Sequence, residues 1–223
     1  MRVHLVPLAL TLPLFAGCQF FGGPASPPSS DKGVRLQGTL THRADAWVFT
    51  PCQEQRRFVV REGSETTLGQ DAGPLADAEA PLFADLRGTL AASRMEGLDG
   101  ELKLSRVYRL QREGKGCDDP NFPRLLLHAD GHQPDWSVSV GKQGLMLERS
   151  GEPAQALPYM EEQLPDGRFN LSSEANGARV ELWVAPQRCV DRPSGSVRYL
   201  QAELRVNGER LRGCGYFGAA RDE

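Results

Sequence analysis

Short runs in which apolar and polar residues alternate, separated by glycine-containing turns, extend through this chain of 223 residues from Val34 onward. The runs 36–41 and 200–206 show the pattern clearly. A period of two places successive side chains on opposite faces of a strand, so each run predicts a half-buried β-strand. The second run ends at Asn207-Gly208, a typical hairpin turn because both residues tolerate positive φ. The sequence therefore predicts an all-β protein.

Further runs of the same kind divide into two groups along the chain. Segment 69–80 interrupts the first group as a loop or a short helical insertion, and 119–123 separates the groups with two prolines. Five predicted strands in the first group fit a small, partly open barrel of the OB type. The second group predicts an antiparallel barrel or meander. The predicted strands contain residues 36–41, 47–49, 58–60, 83–90, 102–110, then 125–128, 136–140, 145–147, 169–171, 180–184 and 200–206.

The first residues have the pattern of a lipoprotein secretory signal. An apolar run from Leu5 to Phe15 follows Arg2 and leads through two small residues to Cys18. Roughly ten apolar residues are too few for a membrane-spanning helix, which needs ~20. The pattern predicts a signal peptide over 1–17 that is cleaved to leave Cys18 as the lipid attachment point.

The chain after the signal is acidic and begins with a stretch of low complexity. Removing residues 1–17 takes away one basic residue and leaves 25 Lys and Arg against 29 Asp and Glu. This acidic balance excludes a binder of nucleic-acid backbones, and it means that membrane association comes from the lipid. The Gly, Pro and Ser residues of 18–33 predict a flexible tether. Gln19 is not the Asp that serves as an inner-membrane retention signal in many Gram-negative bacteria. We therefore expect an outer-membrane anchor facing the periplasm.

Four cysteines remain after Cys18, an even number that suggests disulfides in an exported chain. Four cysteines allow three pairings. Sequential pairing, of Cys52 with Cys117 and of Cys189 with Cys214, keeps each bridge within one half of the chain. This arrangement favours two small domains with one disulfide each, over 34–119 and 120–223.

The first half resembles a known family. Gly38, Ala44-Asp45-Ala46, Phe49-Thr50-Pro51-Cys52 and Arg57-Phe58 are similar to the C-terminal OB domain of NlpE-type outer-membrane lipoproteins, which are linked to copper resistance and envelope stress. Cys117 lies where that family has its second cysteine. The resemblance implies an OB barrel closed by a Cys52–Cys117 bridge that senses oxidative folding. The family's separate Cys-x-x-Cys domain has no counterpart in this sequence.

The second half is similar to an uncharacterised family of bacterial envelope lipoprotein domains. That family has the motifs G-x-E-P-x-W, C-x-D-x-x-S-G and L-x-G-C. The corresponding segments here are 131–136, 189–195 and 211–214, with Gln133 in place of the usual Glu. The resemblance implies an architecture rather than an activity.

Few side chains in the sequence suggest chemistry. Trp136 is a candidate to line a ligand groove or, alternatively, to anchor a core. Asp191 and Ser194 are candidate ligand or turn residues, and a catalytic pair is the less favoured alternative. His128 and His132 are four residues apart, but the intervening glycine and the following proline argue against a helix that would place them on one face. We expect no metal site, no cofactor and no catalytic residues.

Together these features predict a lipid-anchored binding or stress-sensing module rather than an enzyme. Its expected partners are the membrane, through the lipid, and an envelope protein or cell-wall ligand. An inhibitor of lysozyme-like hydrolases, or a binder of cell-wall fragments, is the alternative from a different class.

Overall fold

The computed structural model of this protein describes residues 33–43, 45–76, 80–175 and 177–221. The expected signal peptide, Cys18 and the tether up to residue 32 lie outside the described residues. Strands hold 56% of the structure and helices 9%, which confirms the all-β prediction. In the described residues, helices are too short or too polar to traverse a bilayer.

The strands alternate with tight turns along the described chain. They are β1 (Val34–Arg43), β2 (Ala46–Pro51), β3 (Phe58–Arg61), β4 (Leu82–Ala91), β5 (Gly100–Gln111), β6 (Leu125–Gly131), β7 (Trp136–Gly141), β8 (Gly144–Arg149), β9 (Gln155–Leu157), β10 (Met160–Gln163), β11 (Phe169–Ala175), β12 (Ala178–Ala185), β13 (Cys189–Val190), β14 (Val197–Arg198), β15 (Leu200–Val206) and β16 (Glu209–Phe217). Helical segments are α1 (Leu68–Ala72) and 3-10 turns at Gly73–Leu75, Gly116–Asp118, Phe122–Arg124 and Pro165–Gly167.

The first five strands close into a barrel. Strand β1 pairs with β2 and β4, β2 with β3, and β4 with β5, all antiparallel, while β3 and β5 are parallel. The resulting order β1-β2-β3-β5-β4-β1, with α1 between β3 and β4, is OB-like and confirms the predicted barrel type. Apolar side chains of alternate residues fill its interior, among them Leu40, Phe49 and Leu102.

Strands β6–β12, β15 and β16 form the second sheet, of nine strands in the order β10-β11-β12-β15-β16-β6-β7-β8-β9. This sheet curls into a half-barrel around a second apolar core that includes Leu127, Val138, Leu182 and Leu204. The alternation predicted for these strands is confirmed, because the inward residue of each pair is buried. The prediction of two β regions with one disulfide each is confirmed as well.

A hairpin from the second half of the chain extends the first sheet. Strands β13 and β14 pair with each other, and β14 pairs with β5, which places Arg198 opposite Arg109. The chain passes from the first sheet to the second between Gln111 and Leu125, and then returns through this hairpin. The division into domains at 119/120 remains a prediction.

Every run that alternation predicts as a strand lies in one. The predicted strands do not include β16, of nine residues, or the short strands β9, β10, β13 and β14. The four short strands contain two to four residues each, too few to display a period of two. Segment 69–80 contains most of α1 and a 3-10 turn, as expected for a helical insertion, although residues 77–79 lie outside the described chain.

Gly38 provides a stability test of the barrel. A Cβ at this position would lie 2.2 Å from the Thr50 carbonyl oxygen and 2.7 Å from Cζ of the buried Phe49. We expect Gly38→Ala to lower the free energy of unfolding by about 1–3 kcal/mol through overpacking. Urea unfolding monitored by tryptophan fluorescence measures this loss.

Gly73→Ala is the matched control, because a Cβ there meets no atom within 4 Å and the backbone is already helical. We expect it to change the free energy of unfolding by less than about 0.5 kcal/mol. Equal losses in the two variants would contradict the packing argument.

Candidate functional site

Both predicted disulfides are present. The Cα atoms are 5.5 Å apart in Cys52–Cys117 and 5.6 Å apart in Cys189–Cys214. The first bridge joins the end of β2 to the loop between β5 and β6, and both of its cysteines are half-buried. In the second bridge, Cys214 is only 4% exposed. Cys189 is half-buried, so the second bridge has one buried cysteine, whereas neither cysteine of the first bridge is buried.

Trp136 is a core residue in this structure. Its side chain is 3% exposed and packs in the apolar core of the second sheet. A Cβ on Gly131 would lie 2.5 Å from its Nε1, and a Cβ on Gly213 would lie 2.7 Å from its Cζ2. Gly131 and Gly213, from two different motifs, thus leave room for the Trp136 indole. Packing of this side chain, rather than ligand binding, explains the glycines.

Asp191 and Ser194 lie together in the turn between β13 and β14. The carboxylate of Asp191 accepts hydrogen bonds from the Ser194 hydroxyl and, at 3.2 Å, from the Ser194 amide. Its other oxygen is 3.3 Å from Nε2 of His132. Asp191 therefore lies between Ser194 and His132. Activation of a serine nucleophile needs a histidine in direct contact with the serine hydroxyl. These contacts are those of a carboxylate that stabilises a turn.

A polar layer lies where the barrel meets the second sheet. Asp85 is fully buried and accepts two hydrogen bonds of 2.8 Å from Arg35 and one of 3.1 Å from Gln37. Arg35 also donates to the main-chain carbonyl oxygens of Phe217, at 2.6 Å, and Gly218, at 3.1 Å. Through Arg35, the Asp85 carboxylate thus connects β1 and β4 to the end of β16.

Arg109 is the unusual member of this layer. It is 3% exposed, and it lies opposite Asp85 on β4 and opposite Arg198 on β14. Among the described residues, its Nε and Nη2 atoms have no hydrogen-bond partner. Its guanidinium lies 3.9 Å from the ring centre of Tyr216 and 4.6 Å from that of Phe83. Burial lowers the pKa of Arg109, but a guanidinium stays protonated at neutral pH.

Arg198 differs from Arg109 because it has a carboxylate partner. Its Nη1 is 2.7 Å from Asp130, which is also 3.1 Å from Nε2 of His128. Burial alone would raise the pKa of Asp130, but the His128 hydrogen bond and the Arg198 charge outweigh it and lower that pKa. Asp130 is therefore an anion that forms an ion pair with Arg198 and a hydrogen bond with His128.

These groups line a cavity of about 570 Å³ between the barrel and the second sheet. Burial raises the pKa of Tyr216, which keeps its phenol neutral beside the two arginines. The lining residues whose side chains matter most are Arg109, Arg198, Tyr216, His128, Asp130 and Gln111, and the loop 113–121 forms one wall.

Sequence reasoning missed this cavity. Its walls combine β5 and β6 with β14 and β16, two strands that come much later in the chain. One signal was present, since Arg109 interrupts an otherwise apolar stretch between Val107 and Leu110. A charged residue in such a stretch suggests either a bulge or a buried polar site.

A second polar cluster surrounds Asp71, which is 3% exposed in α1. Its carboxylate accepts hydrogen bonds from Nε of Arg188 at 2.6 Å, from the Thr67 hydroxyl at 2.8 Å, and from the Tyr199 hydroxyl. This cluster fastens α1 to the segments that flank the β13–β14 hairpin. Burial and the Asp71 hydrogen bond raise the pKa of Tyr199 to about 12.

The described residues contain no group of three or more His, Cys, Asp or Glu side chains arranged to hold a metal ion. Comparison with family models, with curated proteins and with solved structures finds no match to this chain. The function is therefore inferred from the residues and their geometry.

Tyr199→Phe tests the Asp71 cluster. Loss of the hydrogen bond should lower the free energy of unfolding by about 1–2 kcal/mol at pH 7. Since the folded pKa lies above the usual value of 10, the contribution of Tyr199 is complete below pH 10 and is lost as the pH rises to about 12. We therefore expect the stability of the wild type to fall more steeply with pH over this interval than that of the variant.

Denaturant unfolding at several pH values measures both effects. Tyr159→Phe is the control at neutral pH, because the Tyr159 hydroxyl makes only a 3.4 Å hydrogen bond to the Gly141 carbonyl. Equal slopes for the wild type and Tyr199→Phe between pH 10 and 12 would contradict the assignment.

Proposed function

We propose that this protein is a lipid-anchored module at the periplasmic face of the outer membrane, where the Cys52–Cys117 bond senses the redox state of the envelope. The observation that carries the redox role is the position of this bond. Both cysteines are half-buried and line an open cleft of about 570 Å³, together with Gln37 and Asp118. The lipid anchor rests on the sequence of residues 1–18, and the OB-like barrel agrees with the family resemblance of the first half.

Reduction of this bond would have a structural consequence. Cys117 lies in the connection between the two sheets, where 113–121 also forms a wall of the polar cavity. In the oxidised protein the disulfide fastens this connection to the end of β2. Reduction removes that constraint and increases the freedom of the loop, so the surface offered to a partner changes with redox state.

The other disulfide is unsuited to this role. Cys214 is buried in β16, between two paired strands, and Cys189 begins β13. A thiolate must approach along the line of the S–S bond, so a buried sulfur is protected from exchange. We assign Cys189–Cys214 a structural function, namely to fasten the β13–β14 hairpin to the second sheet.

Reduction of the purified protein tests the distinction. We expect a dithiol to reduce Cys52–Cys117 on the order of tenfold faster than Cys189–Cys214. Alkylation of the released thiols followed by mass spectrometry of the peptides measures each bond separately. Simultaneous reduction of both bonds would argue against a dedicated sensor.

Signalling is tested in bacterial cells. In a strain lacking the disulfide oxidase, the protein should accumulate with Cys52 and Cys117 reduced, and an envelope-stress reporter should change. Cys52→Ser should reproduce the reporter change in an oxidase-positive strain, whereas Cys189→Ser, made as the control, should not. An unchanged reporter would reject signalling and leave the bond a structural one.

The anchor is tested separately by Cys18→Ser. Because Cys18 holds the proposed lipid, this variant should lose the acyl groups that the wild-type protein carries. Mass spectrometry of the N-terminal peptide measures them, with Cys52→Ser as a control that keeps the lipid. An N-terminal peptide without acyl groups in the wild type would contradict the proposed anchor.

The alternative function is that of a lipid-anchored binder, either of a lysozyme-like hydrolase or of cell-wall fragments. The observation that favours it is the polar cavity, where Nε and Nη2 of Arg109 have no hydrogen-bond partner within the described part of the chain. Retention of a hydrolase, or of muropeptides, by the immobilised protein would support this alternative.

A further inference from the structure

We propose that the cavity between the barrel and the second sheet binds the carboxylate of a small zwitterionic molecule, with Arg109 as the group that recognises it. This inference goes beyond redox sensing and requires no change at either disulfide. It rests on the charge, the burial and the hydrogen bonding of Arg109.

The first argument is that Arg109 has a buried charge and, among the described residues, no carboxylate in ion-pair contact, although Asp85 and Asp119 lie near enough to act on its charge. A buried guanidinium is costly unless it is paired and hydrogen-bonded. The opposing Asp85 is already bound by Arg35 and Gln37, and no ion pair or hydrogen bond joins it to Arg109 among the described residues. A carboxylate from outside the chain would supply the missing partner.

The second argument is the position of Arg198. It is the direct cross-strand neighbour of Arg109, and like charges in such positions repel each other. Asp130 balances only one of the two, since it is 2.7 Å from Arg198. Both arginines lie near the Tyr216 ring, with guanidinium-to-centroid distances of 3.9 Å for Arg109 and 5.6 Å for Arg198. The arrangement therefore has an excess positive charge at its buried end.

The rings of Tyr216 and Phe83 offer a competing explanation for the burial. Cation–π contacts stabilise a buried guanidinium, but they act on its faces. They leave the N–H groups in its plane, Nε and Nη2, without acceptors. A carboxylate approaches a guanidinium in this plane and accepts two parallel hydrogen bonds. The two kinds of contact are compatible, and the rings hold the fork in place for the ligand.

The charges of the outer wall select the class of ligand. Basic and acidic side chains along the whole cavity balance formally, as Arg109, Lys115, Arg124 and Arg198 against Glu113, Asp119, Asp130 and Glu148. A dianion such as phosphate would meet the acidic groups as it entered. A molecule with one carboxylate and one ammonium group can place its carboxylate at Arg109 and its ammonium group near the carboxylates of Glu113, Asp119 or Glu148. Free amino acids and short peptides have this chemistry, and about 570 Å³ accommodates them.

Titration calorimetry of the purified protein, with both disulfides intact, tests the proposal. The probes are alanyl-alanine, the same dipeptide with an amidated carboxyl terminus, and inorganic phosphate. We expect saturable binding of the free dipeptide below about 10 mM, and binding of the amide and of phosphate at least about tenfold weaker. Equal binding of the amide, tighter binding of phosphate, or no binding of the dipeptide would overturn the proposal.

Arg109→Gln should weaken binding of the dipeptide by at least about tenfold, because the charged fork is lost. Arg43→Gln is the control, since this arginine is exposed at the end of β1 and lies outside the cavity, and we expect a change of less than about threefold. Unchanged affinity in Arg109→Gln would refute the assignment.

A second measurement covers the case in which Arg109→Gln does not fold. Arg109→Lys keeps the charge but loses the fork, and should also weaken binding. In the wild type, saturation with the dipeptide should shift the ring resonances of Tyr216 in the NMR spectrum and leave those of Tyr159, outside the cavity, in place. Shifts at Tyr159 without shifts at Tyr216 would place the ligand elsewhere and overturn the proposal.

Discussion

The buried ion pair of Arg35 and Asp85 is the interaction on which the arrangement of the two sheets depends. Asp85 is completely buried on β4, and Arg35 on β1 continues from it to the carbonyl oxygens at the end of β16. Removal of either partner would leave a charge in a site from which water is excluded, a severe cost. The pair therefore joins two apolar cores that otherwise share few side chains.

The ion pair between Asp85 and Arg35 also affects the charge of the neighbouring cavity. Arg109 lies opposite Asp85 in the β4–β5 register, but the Asp85 carboxylate accepts its hydrogen bonds from Arg35 and Gln37. Arg198, on the β13–β14 hairpin, adds a second positive charge and forms an ion pair with Asp130. Within the described residues, the carboxylate opposite Arg109 is thus hydrogen-bonded to Arg35 and Gln37 and not to Arg109.

The two disulfides act on the same region from opposite sides. Cys52–Cys117 fastens the connection that forms one wall of the cavity, and Cys189–Cys214 fastens the hairpin that contributes Arg198. The accessible bond and the cavity are thereby connected through 113–121. As proposed functions, redox sensing and ligand binding are separable activities that use neighbouring parts of one structure.

The sequence by itself determined most of the strands and the turns, because alternation and turn chemistry are local properties that each segment displays. It favoured the sequential pairing of the cysteines among three possible pairings. It also indicated Trp136 and the Asp191–Ser194 turn, although only packing showed that the motif glycines make room for the indole. Tertiary structure alone decided the return of β14 to the first sheet and the meeting of Arg109, Arg198 and Tyr216. Arg109 lies far in sequence from the other two residues, and only the fold decides which carboxylate pairs with which arginine.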